Sequence, residues 1–220
     1  MKKKTIRFLI IILAAAGLLS LAGCSDEKDP VTATPPELVQ PPVDISGPYN
    51  TGSSTFGAIS FHATSPVITP FGVKINIFEY GKALDYYTVP NTPVIAVSRG
   101  IIDAIIDNPL TEGDREIQVT SLPGSEFKII YDHVLDVRVL EDIIIEPGDT
   151  LGVVGNWNDD VRRFSLTVTT GAGINQLWYC PLSFGDQSFI EKHNLLLQEY
   201  TRQNRTPVYD SVCIARTLGP

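Results

Sequence analysis

The sequence predicts a mostly β domain, a small barrel or sandwich, carrying one helix near its C-terminus. Three observations predict it. Short apolar runs recur from Thr55 to Thr169, broken every several residues by Gly, Pro, Asn or Asp. The stretch Tyr131 to Trp157 joins an extended run to a return strand through Glu146-Pro147-Gly148-Asp149. In that turn proline sets φ at the second position and glycine takes the positive φ of the third. Asp186 to Gln203 alone carries apolar residues at helical spacing, with Asp186 placed as an N-cap.

Taken in order, residues 1–23 read as a leader. Lys2, Lys3, Lys4 and Arg7 precede an apolar run from Phe8 to Leu19, which is short for a permanent membrane span. Leu21-Ala22-Gly23-Cys24 resembles the bacterial lipobox. That resemblance implies cleavage before Cys24 and lipidation of Cys24, hence a lipid-anchored protein of the bacterial cell envelope. An ordinary secretory signal with an incidental cysteine is the alternative. Residues 24–54 carry Pro30, Pro35, Pro36, Pro41, Pro42 and Pro48 among few large apolar residues, and are expected to be an extended tether.

The folded domain is expected over residues 55–220. Phe56 to Phe61 reads as a strand, and Val73, Ile75 and Ile77 alternate with Lys74 and Asn76 as a half-buried strand would. Pro93 to Ser98, Gly100 to Ile106, Glu116 to Thr120 and Glu126 to Tyr131 are further strands. Asn108 to Asp114 is a polar loop, and Pro123-Gly124 sits in a hairpin connection. Beyond Tyr131-Asp132-His133, a β-branched run leads through Val137, Val139 and Ile143 to Ile145. The return strand is Leu151 to Val154, with Gly152 and Gly155 where another backbone can come close. Arg163 to Thr169 alternates through Phe164, Leu166 and Val168. Thr206 to Thr217 is a final strand or tail.

Removing the leader's four basic residues from 17 leaves 13 Lys and Arg against 25 Asp and Glu, a formal charge of −12. That argues against a nucleic-acid partner and against a basic membrane-binding patch. With Cys24 lipidated, Cys180 and Cys213 remain as a pair. In an oxidising compartment they suit one disulfide; two buried thiols are the alternative.

Two blocks resemble the LytM and lysostaphin family of zinc endopeptidases. Asp85 to Gly100 has an Asp, a short loop, Asn-Thr-Pro-Val, an apolar strand and a glycine. Phe127 to Gly155 has Tyr131-Asp132-His133 ending one strand, the Pro-Gly-Asp turn and a glycine-flanked strand. The resemblance implies the family's duplicated hybrid motif, a barrel-sandwich hybrid. It also implies a zinc site built from a His, an Asp four residues later, and the second His of a His-x-His before a Phe. Here those positions hold Gly81, Asp85, Val161 and Arg163. Asp85 alone of the three protein ligands is kept, where a catalytic zinc needs about three and an open position. His133 stands at the family's catalytic histidine. The site reads as a remnant, with no cofactor expected; zinc returns only if other residues rebuild the ligand set. His62 and His193 offer donors, but their spacing does not bring them to Asp85. Trp157, Trp178, Tyr86, Tyr87 and Tyr179 are core or rim aromatics, or a platform for a glycan.

Three functions fit: an inactive envelope module binding peptidoglycan or an envelope protein, a zinc endopeptidase with rearranged ligands, or a structural lipoprotein. The leader carries the first test. Cys24→Ala is expected to move the protein out of the membrane fraction on cell fractionation. Unchanged fractionation overturns the lipobox reading.

Overall fold

The computed structural model describes residues 34–63, 66–121, 124–156 and 161–220. The leader, Cys24, residues 24–33, Pro123 and Trp157 lie outside the described residues. The described residues from 34 onward form one compact unit.

The strands among the described residues are β1 (Tyr49–Asn50), β2 (Thr55–Phe56), β3 (Ile59–Ser60), β4 (Ile68–Thr69), β5 (Leu84–Thr88), β6 (Pro93–Ile95) and β7 (Gly100–Asp107). They continue with β8 (Arg115–Thr120), β9 (Phe127–Leu135), β10 (Ile144–Ile145), β11 (Thr150–Asn156), β12 (Arg162–Thr170), β13 (Leu177–Tyr179) and β14 (Thr217–Leu218). One helix, α1 (Gln187–Arg202), precedes the tail. The fold is mostly antiparallel β with a single C-terminal helix. The main path of the sheet runs β1-β2-β3-β5-β12-β11-β9-β8-β7-β10.

At its centre is β12. One edge pairs with β5, Ser165 opposite Asp85 and Phe164 opposite Tyr86. Along the other edge, Arg162 and Arg163 pair with β11. From Ser165 onward β12 pairs with β9, down to Thr170 opposite Phe127. Side chains alternate across a strand, so Phe164, Leu166 and Val168 enter the core while Arg163, Ser165 and Thr167 face the other way. Phe164, Leu166, Val168, Tyr86 and Tyr131 are fully buried. Each such apolar side chain contributes roughly 1.5–3 kcal/mol of transfer free energy. Tyr131 is thereby separated from Asp132 and His133: its hydroxyl accepts from the Val97 N–H at 2.9 Å.

Several expectations need correction. The tether does not extend to Ser54. Leu38, Val43 and Ile45 are buried, and the backbone bonds of Leu38 to Phe184, Val39 to Val97 and Ile95 to Pro42 hold the segment to the domain. Prolines fix extended φ values, which suit a chain lying along a sheet edge as well as one in solvent. Phe56 to Phe61 splits into β2 and β3 around Gly57, whose φ is +57°. Residues 136–143 are irregular, leaving only Ile144–Ile145 as strand. Val73 to Ile77 is not a half-buried strand. It forms one arm of a projecting hairpin in which Ile75 and Ile77 are 59% and 74% exposed, because no neighbouring strand receives it beyond its own return arm at Tyr80.

The Pro-Gly turn forms with Gly148 at φ +97° and Asp149 N–H donating to the Glu146 carbonyl at 3.1 Å. Gly152 and Gly155 lie where backbone approaches: a Cβ on Gly152 would sit 2.5 Å from the Leu135 oxygen. Helix α1 starts at Asp186, whose carboxylate accepts from the Phe189 N–H at 2.7 Å. Cys180 and Cys213 form a disulfide, with Cα atoms 5.8 Å apart, holding the tail to the end of β13.

The helix docks through His193, which is fully buried. Its Nδ1 lies 2.7 Å from the Phe189 carbonyl, which only accepts, so Nδ1 carries the proton. Nε2 therefore accepts from the Tyr86 hydroxyl at 2.7 Å. Burial pushes the His193 pKa down to about 4. A folded value below the unfolded one means stability is complete above the unfolded pKa near 6.5 and is lost as pH falls towards 4. The loss is on the order of 3 kcal/mol. Denaturant unfolding from pH 7 to 4 should show this loss in the wild type. It should be absent from the double variant Tyr86→Phe, His193→Phe, which removes both partners together.

Candidate functional site

The face of β12 away from the core gathers the charged residues. Arg163 stands opposite Tyr87, and Ser165 stands opposite Asp85 on one side and Asp132 on the other. His133 reaches this group through a bulge. Arg115 pairs with Val134 and Ile117 with Tyr131, so Asp132 and His133 together oppose Glu116. His133 takes the left-handed conformation, φ +63°, and its N–H donates to Asp132 Oδ1 at 2.8 Å. Bulges of this kind re-aim a side chain. Gly155, opposite Arg163 on β11, makes room: a Cβ there would lie 2.8 Å from the His133 Cβ and 2.9 Å from its carbonyl oxygen.

The His133 imidazole lies between two carboxylates and a guanidinium. Asp114 Oδ2 lies 2.9 Å from His133 Nδ1, and Asp132 Oδ2 lies 3.6 Å from Nε2. Arg163 Nη2 contacts His133 Nε2 directly. Arginine only donates, so Nε2 accepts and Nδ1 carries the proton given to Asp114. Asp85 accepts from the Ser165 hydroxyl at 2.6 Å. Burial raises its pKa, an effect opposed by the Ser165 hydrogen bond and by the charge of Arg163, and reinforced by Asp132.

The zinc implied by the family resemblance does not fit these residues. Gly81 brings no donor side chain, and its backbone N–H and C=O are engaged by Val73 and Gly72 at 2.8 Å. Val161 is fully buried. Arg163 does point into the site, but as a permanent cation on the histidine. Asp114, Asp132 and His133 bring ligand atoms within 4.8 Å of one another. There too both imidazole nitrogens are engaged, Nε2 by Arg163 and Nδ1 by Asp114. No step of chemistry through a metal follows from this set.

His133 is tied to Asp114 more closely than to Asp132, and Asp85 to Ser165. Nothing in the sequence flagged Asp114, which lies 19 residues from His133. Ser165 was findable, being two residues along the strand from Arg163. His193 is a core histidine behind Tyr86, and His62 is exposed on the loop after β3. Among the described residues, the named aromatics do not converge. Tyr86 is in the core, and Tyr179 packs on Phe127 and Phe184 with ring centres 5.8 and 5.7 Å apart. Trp178 carries the Lys82 ammonium 3.7 Å from its ring centre, opposite Thr169. Along β12 that is six residues, about 20 Å, from Arg163.

Among solved structures, the chain is similar to lysostaphin in solution, with 17% identity over 57% of this chain and 54% of that one and a TM-score of 0.45. It is similar to a catalytic-domain variant of the prophage-encoded M23 protein EnpA from Enterococcus faecalis, at 16% identity over 52% and 88%, TM-score 0.40. It is also similar to Csd3 of Helicobacter pylori in a hexagonal crystal, at 14% identity over 77% and 40%, TM-score 0.44. The chain thus spans about half the length of the lysostaphin chain it matches. No family model matches the sequence, and no curated protein matches it.

The cluster makes a prediction about charge. Arg163→Met removes the cation that opposes the burial effect on Asp85, so the Asp85 pKa, followed by carboxyl NMR, should rise further. A raised folded pKa gives stability that is complete below the unfolded value near 3.9 and is lost as pH rises through the folded value. The stability gap between wild type and variant should therefore widen from pH 4 to pH 7.

Proposed function

We propose that this is a lipid-anchored envelope protein whose peptidase-like domain binds rather than cleaves, as a regulatory or docking module acting on peptidoglycan or an envelope protein. One observation carries the reading: the Arg163 guanidinium lies on His133, on the strand face shared with Asp85, where the family resemblance would put a metal ligand. A guanidinium there supplies the positive charge that the carboxylates need. It cannot polarise a water as a metal ion does, nor take a proton from one. With Asp85 accepting from Ser165 and both ring nitrogens of His133 engaged by Asp114 and Arg163, neither of the two residues retained from the family pattern is left poised as a general base. The acidic charge of the mature chain argues against nucleic acid as the partner. The lipid at Cys24 is what would hold the domain at a membrane.

The runner-up is a zinc endopeptidase in which Arg163 swings away and Asp114, Asp132 and His133 take the metal. The two readings separate on metal content. The purified chain is expected to bind no stoichiometric zinc, to leave peptidoglycan cross-links intact, and to sediment with purified sacculi if peptidoglycan is the partner. Tight zinc binding abolished by Asp114→Ala overturns the reading and promotes the runner-up. A reversal checks the ligand argument itself. Gly81→His combined with Arg163→His should confer zinc affinity that the parent lacks. A Cβ at position 81 meets Val73 Cγ1 at 3.4 Å, an ordinary contact, and the buried Val161 is left in place.

A further inference from the structure

The hairpin between β4 and β5 exposes apolar side chains that the domain does not use. Ile75, Ile77, Phe78 and Tyr80 are 59%, 74%, 89% and 48% exposed. The tip is nonetheless built. Ile75 N–H donates to the Glu79 carbonyl at 3.0 Å, Phe78 N–H to Asn76 Oδ1 at 2.9 Å, and Asn76 Nδ2 to Glu79 Oε2 at 3.0 Å. Its base closes through Gly72 and Gly81. An ordered protrusion that presents four large apolar side chains has a surface to meet.

The topology says which end of the sheet it occupies. Lys82, just past the hairpin, accepts from Thr167 through its carbonyl and lies over Trp178, which pairs with Thr169. This is the C-terminal end of β12. The turn that follows β12 adds a second exposed apolar group, Ile174 at 86% and Leu177 at 37%. Thr170 pairs with Phe127, Phe127 N–H donates to Ser125 Oγ, and Ser125 Oγ donates to the Thr34 carbonyl. The chain coming from Cys24 therefore enters the domain at this same end. The ten residues from Cys24 to Thr34 reach at most about 35 Å. Arg163, seven residues from Thr170, lies about 24 Å away towards the opposite end.

We propose that the hairpin tip at Ile75–Tyr80, together with Ile174 on the turn at the same end of the sheet, inserts into the interfacial layer of the bilayer that holds the lipid anchor, turning the Asp85–His133–Arg163 face away from the membrane. The inference rests on the lipoprotein reading above. Two apolar protrusions at the end where the tether enters select lipid over a second protein. Lys74, exposed beside the tip, is placed to keep its ammonium group at headgroup level. The chain's overall acidity makes apolar contact, not charge, the attraction. Among the described residues no helix is long and apolar enough to cross a membrane, so the contact is interfacial.

The experiment uses the mature protein extracted from membranes and reconstituted in phosphatidylcholine vesicles carrying nitroxide-labelled lipid. Ile77→Cys and Glu112→Cys, the latter on the loop at the opposite end, are each labelled with an environment-sensitive fluorophore. The label at 77 should shift to the blue and be quenched by shallow nitroxides, while the label at 112 should behave as in water. An aqueous label at 77 on vesicle-bound protein overturns the inference and assigns the tip to a protein partner or a second copy. Equal quenching at 77 and 112 overturns the orientation. The parent chain is the control for the anchor. With Cys24 lipidated and the other cysteines bridged it takes no label, so a parent that labels at Cys24 shows that the anchor reading has failed, separately from the tip.

Discussion

The structure depends on the register of β12. Its residues pair with β5 on one side and with β11 and then β9 on the other, so one strand sets the relative heights of three others. A slip of one residue would carry Arg163, Ser165 and Thr167 into the core and expose Phe164, Leu166 and Val168. The fully buried set of Phe164, Leu166, Tyr86 and Tyr131 makes that slip prohibitive. The same alternation that fills the core therefore assembles the opposite face. Ser165 meets Asp85 because Phe164 must meet Tyr86.

On that face, local backbone distortion and charge work together. The bulge at Asp132 and His133 takes the histidine out of alternation, and Gly155 gives it space. Burial disfavours the charged form of Asp85, and a nearby cation offsets part of that cost. Arg163 is that cation, carried on the chain. Its charge is present at every pH at which the protein folds, and its contact engages Nε2 of His133. The polar face lies towards one end of the sheet; the apolar hairpin and the entering chain lie at the other.

The elements whose pattern is set by local chemistry were legible in the sequence. The alternation of β12, the helix from its Asp186 cap, the Pro-Gly turn and the mostly β class follow from side-chain period, capping and φ preference, which neighbouring residues dictate. The loss of donors at Gly81 and Val161 and the charge at Arg163 were legible too, being matters of residue identity. Partners distant in sequence were not. Asp114 finds His133 only because a bulge and a loop bring them together, and the Tyr86–His193 bond exists only because α1 lies across the sheet. The burial of Leu38 to Ile45 and the exposure of Ile75 and Ile77 reversed the local reading for one reason. An extended apolar segment is buried or bare according to whether another strand lies beside it, and only the tertiary structure decides that.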